Sequence, residues 1–429
     1  MRKFMRFNFP NLNKDVPEEY RREFSHLYMD ILWFGILNGS SISFITIYFA
    51  RIQGTGTQIG LLGALPAIVA LIFTLPVGTW LQFGNTNLKV INASFIHRIF
   101  YLLWIPIPLL FVNKTQIELL LFITFIMSFP GTILQVGFNS LFAESVPTNL
   151  RGYVAGVRNG LFAIISILAT LISGQILIRL SFPINYQVVF GIGFIGAMMS
   201  SVHLWLLIRE RKEVQKLPVI DPKELSESRK NLRDVIQWVG LYRFKWPEYQ
   251  KNKHFYSVMS LLFLFHIAQY LCIPVFPVFW VNNLHLSDSI ISLGTGAFFV
   301  TVFIGSTQIS KLSAKYGNKN IVGIGAVMMA VYPGIMAFSN GVTLFIIASL
   351  GGGLAWAFVG GLLINYLLEK IPEENRPPFL AIYNLVFYAA VLIGSLTGPE
   401  IGKIIGLPMA LILFGILRLS AGAAILWKG

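Results

Sequence analysis

Two oppositely charged residues lie inside long apolar runs and are the first candidates for chemistry. Asp30 falls within the run 27–50, and Arg158 falls within the run 151–178. A charge in apolar surroundings is costly unless it is paired, so such residues are functional candidates by default. A carboxylate beside an arginine stays ionised, and it takes up a proton more readily when the arginine moves away. The two residues therefore predict proton coupling, and a permanent structural ion pair is the alternative.

A second set of charges occurs twice in the chain. The pattern E-x-x-P-x-x-x-R begins at Glu144 and ends at Arg151, and it begins again at Glu369 and ends at Arg376. We expect an ion pair within each copy, because a partly desolvated charge needs a partner. Such pairs could act as gates that set the balance between two conformations. Simple anchoring of the two loops is the alternative.

Uncharged polar residues gather along single faces of otherwise apolar segments, at helical spacing. Polar faces of this kind favour hydrogen bonding to a solute in a cavity, whereas the alternative is contact between neighbouring helices. The candidate substrate-binding residues are Asn38, Ser41, Ser128, Gln135, Asn139, His266, Gln269, Tyr270 and Trp356.

Cysteine and histidine usage argues against metal or cofactor chemistry. The single cysteine, Cys272, excludes an internal disulfide and a cysteine zinc cluster. The histidines of the apolar runs lie on separate runs, with no acidic residue alongside them in the sequence. We therefore expect no metal, no cofactor and no catalytic residue. A membrane-embedded transferase that uses these histidines is an alternative from another functional class.

The composition defines the environment of all these residues. Hydrophobic residues make up 55% of the 429-residue chain and charged residues only 12%, and the mean hydropathy is +0.68. A soluble domain carries about 25% charged residues, so this chain lacks the polar surface of a water-soluble globule. The net charge of +14 indicates a basic membrane face rather than a nucleic-acid site. We expect the lipid bilayer as a partner and no nucleic acid.

Twelve apolar stretches are long enough for a helix to cross the roughly 30 Å core of a bilayer. They cover residues 27–50, 57–83, 88–112, 116–142, 151–178, 186–208, 253–281, 288–312, 319–338, 341–368, 377–401 and 406–427. The predicted fold class is an all-α membrane protein, with twelve transmembrane helices in two six-helix bundles. The predicted domains are an N-tail at 1–26, bundles at 27–208 and 253–429, and a linker at 209–252.

Basic residues are distributed unequally between the two sides of this arrangement. The side with both termini and the linker holds 26 of the 33 lysine and arginine residues, and the other side holds four. Because basic residues accumulate on the cytoplasmic side, we expect both termini in the cytoplasm and the protein in the cell (inner) membrane. Within the linker, apolar residues at helical spacing from Leu232 to Tyr242 predict a helix on the membrane surface. A solvated linker is the alternative.

A face of small residues marks the fifth apolar stretch. Gly152, Gly156 and Gly160 follow one another at four-residue spacing. Small residues at this spacing let two membrane helices approach closely. We expect this face to pack against another helix.

The two halves also repeat a shorter pattern after their second apolar stretch, G-N-T-N at 84–87 and G-N-K-N at 317–320. Internal repeats are characteristic of transporter folds. With its six-plus-six arrangement, long basic linker and two E-x-x-P-x-x-x-R loops, the chain resembles the major facilitator superfamily of secondary transporters over essentially its whole length. It departs from the family after the second stretch, where Gln82 and Ala314 stand near positions that are usually acidic. This departure argues against the charge-paired gate usually assigned to that loop.

The resemblance implies that the two halves rock about a site near the middle of the membrane, with helices 1, 4, 7 and 10 lining the cavity. A solute or ion gradient would supply the energy. We expect a non-enzymatic symporter or antiporter, working as a monomer on a small-molecule substrate, with protons as coupling ions. A transport-incompetent receptor and a lipid-moving relative are the alternatives.

Overall fold

The computed structural model describes residues 16–81, 85–147, 150–215, 247–371 and 376–429. Over these residues the chain forms helices and their connections, without a β-strand. Twelve helical segments are long and apolar enough to cross a membrane, which confirms the predicted all-α class and the number of spans. The predicted surface helix of the linker and Gln82 lie outside the described residues.

The spans are numbered α1 to α12 in chain order. The first half contains α1 (Glu18–Arg51), α2 (Gly56–Leu81), α3 (Thr86–Leu110), α4 (Asn113–Ser145), α5 (Arg151–Arg179) and α6 (Ile184–Arg209). The second half contains α7 (Lys253–Asn283), α8 (Asp288–Tyr316), α9 (Asn318–Ala337), α10 (Val342–Glu369), α11 (Pro378–Ile405) and α12 (Leu407–Lys428).

Proline interrupts three of these spans. The breaks lie at Pro106 in α3, at Pro274 in α7 and just before Pro333 in α9. Proline has no N–H, so the carbonyl four residues earlier loses its usual helical donor. Two spans also contain a π-helical turn, Asn38–Ile42 in α1 and Phe279–Asn283 in α7. Such turns frequently occur at functional sites.

The helices of the two halves pack in the same pattern. In the first half α1 packs on α5 and α6, α2 packs on α4, and α3 packs on α4 and α6. In the second half α7 packs on α11 and α12, α8 packs on α10, and α9 packs on α10 and α12. Extensive contacts between the halves join α5 to α8 and α2 to α11. Each contact therefore has its counterpart, which confirms the internal repeat.

The two halves meet tightly near one end of the bundle, here called the far side. The linker side is the opposite end, where α6 ends and α7 begins. A Cβ atom placed on Gly60 of α2 would lie 2.0 Å from the carbonyl oxygen of Ser395 on α11. A Cβ atom on Gly174 of α5 would lie 1.9 Å from Ser292 Oγ on α8. Because no real Cβ atom fits at these distances, glycine is what allows the helices to touch at the far side.

The glycine face predicted to pack is instead uncovered. No described atom lies within 4 Å of a Cβ placed on Gly152 or Gly156, and only Phe303, at 3.9 Å, approaches one placed on Gly160. The packing prediction is therefore wrong for this conformation, because the closely packed glycine of α5 is Gly174, at the other end of the helix. The halves are in contact at the far side and separated along α5 at the linker side.

Candidate functional site: a cavity between the two halves

A cavity of about 490 Å³ lies where the two halves face each other. Helices α1 and α5 of the first half line it, together with α7, α8, α9, α10 and α12 of the second half. Pockets for small molecules measure roughly 300–1,000 Å³, so this cavity has the size of a small-molecule site. Most of its wall comes from the second half.

Aromatic rings form a large part of the cavity wall. The rings of Phe276 and Trp280 on α7 are nearly parallel, with centroids 5.9 Å apart. Tyr332 of α9 meets Phe276 edge-on at 4.8 Å, and Phe345 of α10 meets Trp280 at 5.5 Å. The remaining aromatic lining residues are Phe162, Phe298, Phe299 and Trp356. Rigid apolar surfaces of this kind accommodate the apolar or aromatic body of a ligand.

Three of the predicted binding residues line this cavity, namely Asn38, Gln269 and Trp356. Asn38 begins the π-helical turn of α1, and its Nδ2 donates to Ser166 Oγ on α5 at 3.3 Å. Ser349 of α10 also lines the cavity, and its hydroxyl donates to a carbonyl of its own helix at 2.8 Å. The structure therefore brings together predicted residues from α1, α7 and α10.

The predicted residues of α4 lie outside this cavity. Ser128 is buried, and its hydroxyl donates to the carbonyl of Thr124 in the same helix at 2.5 Å. Hydroxyl groups in helices commonly bond back to their own backbone in this way, which leaves less polar surface for a ligand. Gln135 and Asn139 are exposed, and Gln135 Oε1 accepts a hydrogen bond from the Tyr388 hydroxyl of α11 at 2.6 Å.

Three further predicted residues also lie outside it. Ser41 is buried where α1 packs on α6 at Gly193. His266 is buried, with Nε2 3.4 Å from the Tyr383 hydroxyl of α11. The ring of Tyr270 packs edge-on against another ring of α11 at 5.8 Å. These side chains contact neighbouring helices, which is the alternative that their sequence pattern left open.

Arg418 of α12 is the charged residue of the cavity lining. It does not belong to the polar faces that the sequence predicted to bind a solute. It is only 3% exposed. Its guanidinium donates to the carbonyl oxygens of Gln269, Met329 and Ala268 at 3.0, 3.1 and 3.3 Å. Met329 lies four residues before Pro333, so its carbonyl lacks a helical donor and accepts the arginine instead. The break in α9 was the sequence signal that could have located this contact.

A separate polar cluster lies inside the first half. Arg158 of α5 and Asp30 of α1 form an ion pair, with both terminal guanidinium nitrogens 3.1 Å from Asp30 Oδ2. Arg158 also donates to the Leu27 carbonyl at 2.6 Å, and the Ser200 hydroxyl of α6 donates to Asp30 Oδ1. Asp30 and Arg158 are 3% and 8% exposed. The two residues singled out from the sequence are thus in direct contact and shielded from water.

This cluster continues toward α3 and the linker-side end of α1. Arg98 of α3 is buried, and its Nη1 donates to the Ala197 carbonyl at 3.3 Å and to Ser201 Oγ at 3.2 Å, both on α6. The Nδ1 atoms of His26 and His203 lie 3.1 Å apart, so a proton on one of them joins the two rings. The first half therefore holds two buried arginines and one carboxylate in this region.

At the far side, a polar contact joins the two halves directly. Arg51 at the end of α1 forms an ion pair of 2.9 Å with Asp288 at the start of α8, and it also donates to the Leu286 carbonyl. The Tyr186 hydroxyl of α6 donates to the other carboxylate oxygen of Asp288 at 3.2 Å. This contact could not be predicted from the sequence, because its partners lie far apart in the chain and meet only through the docking of the halves.

The comparisons with known proteins agree with this architecture. The family profile of the Major Facilitator Superfamily matches residues 31–271 and 258–428. The chain belongs to the Major Facilitator Superfamily. The two matches begin in the first spans of the two halves, as an internal repeat requires. Membership of this family supports a secondary transporter and points away from an enzyme.

Solved structures of several transporters share the fold of nearly the whole chain. A mutant of the nucleoside transporter NupG has a TM-score of 0.65 at 14% identity, covering 94% of this chain and 99% of that one. The xylose transporter XylE from E. coli, in a partially occluded inward-open conformation, has a TM-score of 0.64 at 15% identity. The match covers 95% of this chain and 98% of that one. A POT family transporter in complex with 5-aminolevulinic acid has a TM-score of 0.69 at 12% identity. The match covers 94% of this chain and 95% of that one. At sequence identities this low, the similarity shows only that the fold is shared.

A curated relative matches part of the chain. It is Multidrug resistance protein 1 of Bacillus subtilis (strain 168), which is 26% identical over 153 residues. The match covers 36% of this chain and 38% of the relative, so it spans little more than a third of the relative's length.

In this Major Facilitator Superfamily protein, the two repeated patterns touch each other in each half. Asn318 Nδ2 donates to Glu369 Oε1 at 2.7 Å, and Asn87 Nδ2 donates to Glu144 Oε2 at 3.3 Å. The start of the third span of each half is thereby joined to the end of the fourth span. These amide-to-carboxylate hydrogen bonds lie next to the loop for which the family resemblance implied a charge-paired gate.

The sequence predicted an ion pair between Glu144 and Arg151. The described residues form ion pairs elsewhere, but these two side chains do not pair with each other. Arg151 instead donates to the carbonyls of Ala143 at 2.7 Å and Val146 at 3.1 Å. The last carbonyls of a helix have no helical donors, and a nearby guanidinium satisfies them at the end of α4. The side chain of Arg376 lies outside the described residues, so its pairing with Glu369 stays a prediction.

Proposed function

We propose that this protein is a secondary active transporter that moves a small solute across the membrane by alternating access. The observation that supports it best is the position of the cavity, between halves that touch at the far side and separate at the linker side. The contact between Arg51 and Asp288 holds the far side closed. We assign this conformation as the one open toward the linker side.

Alternation requires a second conformation in which the linker side closes and the far side opens. The glycines of α5 favour such an exchange. Gly174 permits the contact that α5 now makes with α8, whereas Gly152 and Gly156 are uncovered. In the opposite conformation these two glycines would permit an equally close contact at the linker side. The linker-side loops with Glu144, Arg151, Glu369 and Arg376 are the proposed gates there.

We further propose that the ion pair of Asp30 and Arg158 couples transport to protons. The carboxylate is buried, and besides the arginine it accepts a hydrogen bond from Ser200. When the halves rock or an anionic group draws Arg158 away, an isolated buried carboxylate would be destabilised and would take up a proton. A permanent structural ion pair is the competing interpretation, and the Asp30→Asn variant separates the two.

The linker side is proposed to face the cytoplasm of a cell with this protein in its inner membrane. The excess of basic residues on that side is the supporting observation. In this orientation both termini are cytoplasmic, and the conformation described here is open to the cytoplasm. The protein is proposed to work as a monomer.

Accessibility of single cysteines tests alternation without knowledge of the substrate. Cys272 is the only cysteine in the sequence, so a Cys272→Ser background accepts one reporter at a time. Asn159→Cys, at an exposed position on the same side of α5 as Gly156, reports the linker side, and Ser395→Cys, which α2 covers at Gly60, reports the far side. We expect variants that raise labelling at one position to lower it at the other. Independent or invariant labelling would contradict alternating access.

A transport assay completes the test. Compounds that raise the melting temperature of the purified protein would be tested for uptake into proteoliposomes, with and without a pH gradient. We expect uptake of at least one compound, and accumulation only when the gradient is imposed. Stabilising compounds that bind but never cross the membrane would instead support a transport-incompetent receptor.

A further inference from the structure

We propose that the substrate of this cavity carries an anionic group, such as a carboxylate, on an apolar or aromatic body, and that Arg418 binds that group. The inference rests on the proposed transport function and names its substrate class. Arg418 is the charged residue of a lining that otherwise consists of aromatic, aliphatic and uncharged polar side chains.

The charge of Arg418 is not neutralised by an acidic partner. In the described part of the chain, no carboxylate forms an ion pair with it, and the cavity lining contains no aspartate or glutamate. Its guanidinium is held by three backbone carbonyls. Carbonyl dipoles lower the cost of burying a cation but leave its net charge in place, so an anion in the adjacent cavity is attracted strongly.

The guanidinium also has donors available for such a ligand. It carries more N–H groups than the three carbonyls use. Arginine forms charge-assisted, often bidentate hydrogen bonds with carboxylates and phosphates, which makes it suited to this role. Because the carbonyls hold the guanidinium in place before a ligand binds, binding costs little additional side-chain conformational entropy.

The rest of the cavity selects the body of the ligand. The stacked rings of Phe276 and Trp280 lie beside the arginine, whose guanidinium carbon is 6.0 Å from the centroid of the Phe276 ring. The Nε1 of Trp280 is buried and has no hydrogen-bond partner. An apolar or aromatic group fits against these rings, and a polar acceptor on the ligand could satisfy the indole. A small, fully polar anion would leave this surface unfilled.

The position of Arg98 provides a matched control. It too is a buried arginine held by a backbone carbonyl and a hydroxyl, but it does not line the cavity. Its replacement removes a buried cation from the first half of the protein, far along the sequence from α12. A general effect of losing a buried arginine would therefore appear in both the Arg98 and the Arg418 variants.

Equilibrium binding of three matched probes tests the proposal. The probes are 4-phenylbutyrate, 4-phenylbutyramide and 4-phenylbutylamine, measured by calorimetry on the purified protein in nanodiscs. We expect the carboxylate to bind about 10- to 100-fold more tightly than the amide, as a hydrogen bond to a charged group implies, and the amine to bind most weakly. A carboxylate that binds no more tightly than the amide, or does not bind, overturns the proposal.

Variants assign the preference to the arginine. Arg418→Gln should bind carboxylate and amide equally, Arg418→Lys should keep part of the preference, and Arg98→Gln should keep all of it. An unchanged preference in a folded Arg418→Gln protein overturns the assignment. Should that variant fold poorly, the wild-type series still decides between anion and cation selectivity. Because these measurements involve no transport, their failure leaves the cysteine test of alternating access intact.

Discussion

Arg51 Nη2 and Asp288 Oδ1 lie 2.9 Å apart and join the last turn of α1 to the first turn of α8. The arginine side chain is 27% exposed and the aspartate side chain 12%. Since α1 and α8 belong to different halves, this contact must break when the far side opens. Its strength therefore contributes to the population of molecules whose far side is closed.

Removal of one partner should favour the opposite conformation. Asp288→Asn weakens a hydrogen bond to a charged group, worth about 1.5–3 kcal/mol. We expect at least about tenfold faster labelling of a far-side cysteine at position 395, since about 1.4 kcal/mol corresponds to a factor of ten. The exchange Arg51→Asp with Asp288→Arg should restore slow labelling. Glu248→Gln, which removes an exposed ion pair with Lys251 just before α7, is the control and should change nothing.

Two substitutions at opposite ends of α5 should have opposite effects. Gly174→Ile places a side chain where even a Cβ atom would lie 1.9 Å from Ser292 Oγ, so the far side cannot close. The Cβ atom of Gly156→Ile meets no neighbouring atom within 4 Å in this conformation, and the side chain should block closure of the linker side instead. We expect high reactivity at Ser395→Cys in the first variant and low reactivity in the second. Equal reactivity in the two variants would argue against rocking of the halves.

The Asp30→Asn variant separates proton coupling from a purely structural ion pair. Under coupling, the protein folds normally and exchanges substrate, but it no longer accumulates substrate under an imposed pH gradient. Accumulation at the wild-type level would rule out the coupling role. A permanent pair predicts a low folded yield, because an unpartnered buried charge costs about 3–5 kcal/mol. In that case the exchange Asp30→Arg with Arg158→Asp should recover the yield.

The contact between the repeated patterns can be measured as a coupling free energy. Glu369→Gln removes the charge that Asn318 contacts at 2.7 Å, and Glu144→Gln does the same in the first half. We expect both to shift the ratio of labelling between positions 159 and 395. In a double-mutant cycle, Asn318→Ala should add little to Glu369→Gln, with a coupling of about 0.5–3 kcal/mol. Strict additivity would show that the amide and the carboxylate act independently.

Orientation in the membrane is the simplest prediction to check. Because 26 basic residues lie on one side, a tag at either terminus or within 209–252 should be protected from antibody in intact cells and accessible after permeabilisation. A tag inserted in the short loop after α1, near Gln53, should be accessible without permeabilisation. Exposure of a terminal tag on intact cells would overturn the orientation.

Local features of the chain determine much of what the sequence predicted correctly. The length of each apolar run defines a span, and the proximity of Asp30 to Arg158 follows from two costly charges at similar depth. The repeated patterns around Glu144 and Glu369 also revealed the relation between the halves. These predictions require only two facts, namely that the surrounding solvent is a lipid bilayer and that the α-helix has a regular period.

The features that the sequence did not reveal depend on how separate elements meet. Arg418 is not part of a polar face in the sequence, yet the break in α9 brings an unsatisfied carbonyl to its side chain. Arg51 finds Asp288 only when the halves dock. The glycine face at Gly152 was predicted to pack because spacing describes which contacts are possible, and not which of two conformations makes them.

The π-helical turns of α1 and α7 affect which side chains face the cavity. A π-helical turn, with its i→i+5 hydrogen bonds, holds more residues per turn than the α-helix around it, so the residues that follow are rotated about the helix axis. In α1 the turn lies at Asn38–Ile42, with further helix on both sides, whereas in α7 it occupies the last residues of the span. Each turn contains a cavity-lining residue, Asn38 in α1 and Trp280 in α7. A π-helical turn in each half thus sets the angular position of a residue that lines the cavity, although the two turns lie at different places in their spans.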